Sequence, residues 1–251
     1  MIHHQTRDHV TVLRMEHGKA NAVDTDLFRD LDRALDEVAA SSARALVLTG
    51  SGGMFSAGVN LFKVLEGGAS YLAALLPALS ASVRRLFTHP LPIVAAVNGH
   101  AIAGGAVLAA ACDRRVMNRD HGKIGVTELL VGVPFPVDAF EPLRCLLPER
   151  TLQELVYSGR TLGGEEAREV GLVEETAAAE AVLDQACEAA RRMAAIPGDA
   201  FAVTKRQLRQ PALERMRSLA PELDPEVLAI WSRPETMASI RAYLEQTVGK
   251  K

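Results

Sequence analysis

Two glycine-centred turns, each following a run with the length and composition of a buried strand, are the first candidates for chemistry. Their sequences are FSAGVNL at residues 55–61 and NGHAIAGG at residues 98–105. Glycine allows positive φ and lets a ligand approach the main chain. The second turn leads into a helix N-terminus, whose amides lack internal partners. Two such turns can aim one amide each at a single oxygen, as in an oxyanion hole, although glycines that serve only the turn geometry explain the residues equally well.

Several other catalytic devices do not fit the sequence. A nucleophile elbow around Ser56 would need glycine where Met54 stands. The GSGG run at 50–53 is not followed by Gly-Lys-Ser/Thr, so it is not a phosphate-binding P-loop. The glycine pair at 104–105 lacks the Gly-x-Gly-x-x-Gly spacing of a dinucleotide site.

Composition narrows the class of protein. The chain has 251 residues, which suits one large domain or two small ones. Hydrophobic residues make up 48% and charged residues 24%, which excludes wholesale disorder. The formal net charge of −3 and an aromatic content of 4% give neither an electrostatic nor a stacking reason to expect nucleic acid. We therefore predict an enzyme or binding domain without a nucleic-acid partner.

The sequence also carries predictions about location and metals. Residues 1–15 contain no apolar core of a secretory signal, and the run at 101–112 is well short of the roughly 20 residues of a membrane span. Three histidines near the N-terminus, at positions 3, 4 and 9, are expected to be solvated in a frayed segment. The three cysteines show no C-x-x-C spacing, which favours a reducing compartment. We predict a cytoplasmic, metal-free protein with no membrane partner.

Buried strands alternate with helices through the first half of the chain, which predicts an α/β architecture. Strand patterns occupy residues 10–15, 45–49, 93–97 and 114–117, and helical patterns follow Asp24, span 71–87 and follow Gly104. From Leu143 onward the pattern is almost wholly helical, most regularly at 177–195. The IPGD run at 196–199 predicts a boundary between a core at 1–195 and a C-terminal helical region at 196–251.

Motifs spread along the chain resemble those of the crotonase superfamily, the enoyl-CoA hydratase/isomerase group. They are GKANAV (18–23), FSAGVNL (55–61), AAVNG (95–99) with AGG (103–105), CD (112–113), and GVTE (125–128) with Gly132. The resemblance runs from Val10 through essentially the whole chain. It implies a crotonase-like spiral of ββα units, then a C-terminal helical region that mediates a homotrimer or a dimer of trimers. It also implies an acyl-CoA thioester substrate, with coenzyme A as part of that substrate and no separate cofactor.

The resemblance assigns site residues by position. The amides of Val59 and Gly104 would bind the thioester oxygen as it becomes an enolate. Backbone around Ala20, Ala22 and Ala57 would hold coenzyme A, with Lys19 or Lys63 near its phosphates. The same motifs place Asn60, Leu61, Gly105 and Val107 along the substrate site. Asn60 stands where many relatives have Asp, so it keeps a hydrogen-bonding role without a charge.

Two positions discriminate between reactions. Hydratases of the family carry two glutamates, but this chain has Val107 at the first position and Glu128 at the second. Ala103 also replaces the first glycine of the family's Gly-Gly-Gly turn. This pattern resembles the Δ3,Δ2-enoyl-CoA isomerases, in which one base removes the C2 proton and returns it to C4. We expect the apolar neighbours of Glu128, at positions 129–131, to raise its pKa.

Alternatives remain open from the sequence. Glu128 alone would suffice for another crotonase-type reaction, such as hydration or thioester hydrolysis. A different class is an acyl-CoA-binding paralogue without turnover. Without the resemblance, Glu128 is simply an acid in the first turn of a helix. Asp138 and Glu141 are near enough in sequence to be considered as further acids in the pocket.

Overall fold

The computed structural model describes residues 1–248, and two parallel-stranded sheets organise it. The nine strands in that range are β1 (Ile2–Arg7), β2 (Val10–Met15), β3 (Ala45–Thr49), β4 (Met54–Ser56), β5 (Ile93–Val97), β6 (His100–Ile102), β7 (Arg114–Asn118), β8 (Ile124–Gly125) and β9 (Glu175–Ala177). A six-stranded sheet has the order β1-β2-β3-β5-β7-β9, and a three-stranded sheet has the order β4-β6-β8. All neighbouring pairs are parallel except β1 and β2.

The helices lie between and after these strands. They are α1 (Thr25–Ala39), α2 (Leu61–Thr88), α3 (Gly104–Ala111), α4 (Val137–Leu146), α5 (Glu149–Ser158), α6 (Gly164–Glu169), α7 (Val182–Ala194), α8 (Gly198–Trp231) and α9 (Pro234–Val248), with a 3-10 turn at Glu128–Val131. The units β3-β4-α2, β5-β6-α3 and β7-β8-3-10 turn repeat one pattern, and each gives one strand to each sheet. The predicted spiral of ββα units, followed by a helical region, is confirmed.

The large sheet is covered on both faces, which explains its continuous apolar strands. Val47 and Val94 point to the face under α7, where they pack with Ala186 and Ala190. Their chain neighbours, including Leu46, belong to the larger core on the opposite face, which also contains the buried sides of α1, α2 and α3. This alternation of side chains across the strand fixes the register of β3 and β5.

Helix α2 begins earlier than its periodicity predicts, at Leu61 rather than Tyr71. Asn60 caps it by accepting from the Lys63 amide at 3.2 Å, and Gly68 interrupts it with φ 55° and ψ −146°. The interruption hides the first two turns from a search for one continuous apolar stripe. By length and hydropathy α2 would suffice to cross a membrane, but a core helix passes the same test, and its buried residues, such as Leu72 and Leu75, join the main core.

Two segments differ from the sequence-based expectations. The N-terminal residues are not frayed, because β1 pairs antiparallel with β2 from Ile2↔Met15 to Arg7↔Val10. In the predicted helical half, β9 adds a parallel edge strand beside β7. β1 is polar and exposed after Ile2, and β9 has only three residues, so neither has the apolar run that marks a buried strand.

Helix α8 begins two residues beyond Ile196, close to the predicted boundary. A buried ionic cluster ties it to the core: Lys205 Nζ lies 2.7 Å and Arg209 Nη2 2.8 Å from the Asp113 carboxylate. Burial lowers the pKa of Lys205 to about 8. The last three residues of the predicted C-terminal region, 249–251, lie outside the described residues.

Candidate active site

The two glycine-centred turns lie side by side because the strands before them are paired. Ser56 of β4 is in register with Ala101 of β6, so both strands end at the same edge of the small sheet. Gly58 has φ 82°, and a Cβ there would lie 2.7 Å from the Ile102 carbonyl and 3.0 Å from the Gly104 nitrogen. Only glycine permits this approach, which brings the second turn against the first.

The amides of Val59 and Gly104 are both free. The Val23 amide donates to the Gly58 carbonyl at 2.8 Å, and the Val23 carbonyl accepts from the Asn60 amide at 2.9 Å. These two bonds flank Val59 and leave its own amide unbonded. Gly104 is the first residue of α3, where an amide has no intrahelical acceptor. Neither amide donates a hydrogen bond to another group within residues 1–248. Both residues line one cavity, as an oxyanion hole requires.

Ala103, the residue before Gly104, has a strained backbone conformation. Its φ of 51° and ψ of −122° are uncommon for a residue with a Cβ. Its amide donates to the Gly125 carbonyl at 2.8 Å, which ties the turn to β8. Such backbone strain costs about 1–3 kcal/mol and persists only where surrounding structure holds it. The turn that presents the Gly104 amide is therefore held under strain.

Glu128 lies in the same cavity as these amides. It opens the 3-10 turn, and its Oε2 atom is buried without a hydrogen-bond partner among the described residues. Burial raises the pKa of Glu128 to about 8, although the amides of Glu128 and Thr127 offset part of the effect. A carboxyl group with this pKa can exchange a proton near neutral pH.

The apolar surroundings of Glu128 are not the ones expected from its chain neighbours. Leu129 and Leu130 are 41% and 57% exposed, so they point away, and only Val131 of that trio lines the cavity. The prediction about positions 129 and 130 is wrong because the 3-10 turn rotates successive side chains onto different faces. The apolar wall comes from distant elements: Leu76, Leu79, Val107, Val133, Phe135 and Trp231.

Two further acids near Glu128 in sequence do not line this cavity. Asp138 is held by Arg84, with nitrogen–oxygen distances of 2.8 and 2.9 Å. Glu141 pairs with Arg144 at 3.2 Å and with Arg215 at 2.6 Å. Among the described residues that line the cavity, Glu128 is the only carboxylic acid.

A groove of about 490 Å³ leads from this cavity to the surface. Most of the residues assigned to substrate binding lie along it: Lys19, Ala20, Ala22, Ala57, Asn60, Leu61 and Lys63. Ala57, Val59, Leu61 and Tyr243 line both spaces, so the groove and the cavity are adjacent. Gly105 lines neither; a Cβ there would lie 2.3 Å from the Ser56 carbonyl, so its role is close packing between the turns.

The two candidate lysines have different surroundings. Lys63 Nζ lies 2.7 Å from Asp24 and 3.1 Å from Asp26, and its hydrogen bond to Asp24 raises the pKa of Lys63 further. Burial alone would raise the pKa of Asp24, but the bonds from Lys63, the Leu27 amide and His17 outweigh it and lower that pKa. Lys19 is exposed and forms no ion pair with a carboxylate in the described part of the chain. Lys19 is thus the freer cation on the groove.

Asn21 and Tyr243 were not singled out as site residues by sequence reasoning. Asn21 has φ 45°, is fully buried, accepts from the His17 amide at 2.8 Å and donates to the Met54 carbonyl at 3.1 Å. It fastens the loop carrying Ala20 and Ala22 to β4. The GKANAV motif contains this asparagine and could have flagged it, whereas nothing in the sequence placed Tyr243 beside the cavity.

No metal cluster is evident in residues 1–248: none of their His, Cys, Asp and Glu side chains form a group of three or more placed to hold an ion. A spiral of ββα repeats, with two free turn amides and one buried carboxylate lining a single cavity, is the arrangement of crotonase-type acyl-CoA enzymes. The enoyl-CoA hydratase/isomerase family matches residues 5–248. The chain belongs to that family.

Similar proteins carry both activity names. A Thermus thermophilus protein assigned as an enoyl-CoA hydratase is 34% identical over 207 residues, covering 80% of this chain and 81% of that protein. One Mycobacterium tuberculosis protein is described as an enoyl-CoA isomerase in one structure (31% identical, TM-score 0.83, covering 90% of this chain and 98% of its own). It is described as a probable enoyl-CoA hydratase in another (32% identical, TM-score 0.85, covering 90% and 95%). Human mitochondrial Δ3,Δ2-enoyl-CoA isomerase has a TM-score of 0.95, covering 100% of this chain and 99% of its own, at 24% identity. At 24% identity, this similarity to the human enzyme shows a shared fold.

Proposed function

We propose that this family member shifts the double bond of a 3-enoyl-CoA into conjugation, giving the 2-enoyl-CoA. The observation that carries the proposal is the single carboxylic acid, Glu128, among the described residues lining the cavity, with Val107 where a hydratase has its other glutamate. A 1,3 proton shift needs one base that reaches both carbons. Hydration normally uses two acids, because one activates water while the other protonates carbon.

The proposed reaction has two proton transfers. Glu128 takes the proton from C2, and the electrons of that C–H bond delocalise into a dienolate whose negative charge lies on the thioester oxygen. The amides of Val59 and Gly104 stabilise that oxygen. Glu128 then returns the proton to C4, which restores the thioester carbonyl and forms the new double bond between C2 and C3. The pKa of about 8 suits this role, because a base poised near the working pH can both accept and donate.

The groove supports the proposal that the substrate is a coenzyme A thioester. Ala20, Ala22 and Ala57, whose side chains are small, line the groove, and Lys19 is exposed beside them. Backbone amides and one free cation can hold phosphates despite the net charge of −3. We also propose that the enzyme is cytoplasmic, needs no separate cofactor and forms the homotrimer or dimer of trimers that the family resemblance implies. Sedimentation analysis would test the assembly.

Hydration of a 2-enoyl-CoA by Glu128 alone is the second candidate. It is favoured by the hydratase assignment of the Thermus thermophilus relative. Val107 argues against it, because valine neither accepts nor donates a proton.

One assay separates the two candidates. Purified protein is offered a 3-enoyl-CoA and, separately, a 2-enoyl-CoA, and the conjugated thioester absorbance is followed. We expect it to grow with the first substrate and to persist with the second. Faster hydration of the second substrate than isomerisation of the first would refute the isomerase proposal. Binding without turnover of either would indicate a non-catalytic paralogue.

The variant Glu128→Gln assigns the base. It keeps the shape of the side chain and removes its basicity, so we expect isomerisation to fall by about 10²–10⁴-fold while coenzyme A binding persists. Full residual activity would show that another group is the base.

A further inference from the structure

Tyr243 stands at the junction between the cavity of Glu128 and the coenzyme A groove. It lies on α9, is half-buried and packs against the main core. It lines both spaces, as do Ala57, Val59 and Leu61 from the first turn. The next residue of α9, Leu244, lines only the groove. Tyr243 therefore lies where the two spaces adjoin, together with Ala57, Val59 and Leu61. We call this boundary, which a thioester reaching from the groove to Glu128 would cross, the neck.

The cavity behind this neck is poor in polar groups. It offers only about 70 Å³ of free space, and apart from the amides of Val59 and Gly104 its polar groups are those of Thr127, Glu128 and the polar ends of Trp231 and Tyr243. The Trp231 indole already donates to the Pro134 carbonyl at 2.9 Å. Glu128 Oε2 has no hydrogen-bond partner among the described residues. A water molecule that reached it would therefore hydrogen-bond to the carboxyl group and could exchange protons with it.

Helix α9 also contacts the 3-10 turn that begins with Glu128. The helix therefore touches the segment carrying the base while its tyrosine occupies the neck. An aromatic ring at such a point can exclude water, because it covers a large apolar area. Its side chain also has few rotamers, so holding it in one position costs little conformational entropy.

We propose that Tyr243 is a water gate: its ring closes the neck over the bound thioester, so that Glu128 returns to C4 the same proton that it took from C2. This role rests on the proposed isomerisation. With the gate closed, proton transfer outruns exchange with solvent, and water is also kept from C3. With the ring removed, water from the groove reaches the protonated carboxyl group and replaces its proton before the second transfer.

Deuterium incorporation tests the gate directly. The reaction of a 3-enoyl-CoA is run in D₂O to low conversion, and deuterium at C4 of the 2-enoyl-CoA product is measured by mass spectrometry. For the native enzyme we expect most product molecules to carry no deuterium. For Tyr243→Ala we expect at least a twofold rise in the labelled fraction, and about a tenfold loss of kcat/KM from the missing ring contacts.

Two further variants serve as controls. Tyr243→Phe keeps the ring and loses the hydroxyl, so the labelled fraction should match that of the native enzyme. Leu244→Ala shortens a neighbouring side chain that lines the groove alone, so it should alter KM and leave the labelled fraction unchanged. Tyr243→Leu, a smaller change in packing, replaces Tyr243→Ala if the latter does not fold, and we expect an intermediate labelled fraction.

The outcomes separate this inference from the function it rests on. No isomerisation by the native enzyme overturns the proposed function. Isomerisation with the same labelled fraction in the native enzyme and in Tyr243→Ala overturns the gate alone. A rise caused equally by Leu244→Ala also overturns it, because the effect would then belong to α9 as a whole.

Discussion

Val107 and Glu128 line the same cavity, and only Glu128 can carry a proton. Val107 is 2% exposed and lies in α3, one turn beyond the free amide of Gly104, whereas Glu128 is 8% exposed and begins the 3-10 turn. The two positions are thus supplied by successive ββα repeats. Under the proposed function, the type of reaction depends on which side chains these two repeats place in the cavity.

Restoring an acid at position 107 should change the balance of reactions. We expect Val107→Glu to increase hydration of a 2-enoyl-CoA relative to isomerisation, because two carboxyl groups would then face the substrate. We also expect the free energy of unfolding to fall by about 1–3 kcal/mol, since a polar group enters an apolar wall. Product analysis by chromatography and urea unfolding measure the two effects. Val107→Gln is the control: it should lose similar stability and gain no hydration.

The buried carboxyl group of Glu128 predicts a rising pH profile. Burial raises the pKa of Glu128 to about 8, so the basic form is scarce at pH 6 and predominant above pH 8. We expect kcat/KM for isomerisation to rise with pH and to level off above this pKa, and initial rates across this range would show it. A profile that is flat between pH 6 and 9 would contradict the assignment of Glu128 as the base.

The same pKa shift has a consequence for stability with a definite sign. Above the ordinary pKa of a glutamate, the folded state binds a proton that the unfolded state has lost, so stability falls as pH rises. The fall should extend from about pH 4.5 to about pH 8 and then stop. Glu128→Gln does not titrate, so its unfolding free energy should exceed that of the native protein increasingly over this window. Urea unfolding at several pH values tests the difference.

Much of the fold follows from the sequence, for physical reasons that particular elements show. Strands β3 and β5 were predictable because both faces are covered and, except for Thr49, their residues are apolar. Strands β4, β6 and β8 have only three, three and two residues, too few for any periodicity to show. Yet these three strands form the small sheet whose edge holds the two turns.

The site was predictable in part. Val59, Gly104 and Glu128 were assigned by motif, and the structure brings all three to one cavity. The direction of Leu129 and Leu130 was not predictable, because a 3-10 turn does not follow the helical period. Tyr243 was out of reach for another reason: it comes from a helix more than a hundred residues downstream, and only tertiary packing places it at the neck.

Ala103 should be a site where a smaller residue stabilises the protein. Its φ of 51° is accessible to glycine at little cost, whereas a Cβ there is strained by about 1–3 kcal/mol. We expect Ala103→Gly to raise the free energy of unfolding by about 1 kcal/mol, after allowing for the greater entropy of glycine in the unfolded chain. Ala101→Gly, two residues earlier in β6, has no positive φ to relieve and should lower stability instead. Thermal unfolding of the pair compares the signs.

Substituting the two lysines on the groove should affect different properties: Lys19 the binding of coenzyme A, and Lys63 the stability of the fold. Lys19 is exposed and has no described carboxylate partner, so Lys19→Ala should weaken coenzyme A binding several-fold, most strongly at low salt, and leave stability within about 0.5 kcal/mol. Lys63 offsets the charge of the fully buried Asp24, so Lys63→Ala should lower the unfolding free energy by about 1–2 kcal/mol. The loss is limited because His17 and the amides of Asp26 and Leu27 still bind Asp24. Calorimetric titration with coenzyme A at two salt concentrations, together with urea unfolding, tests both variants. Equal losses of affinity and stability in the two would contradict this division, since it rests on one lysine being free and the other already paired.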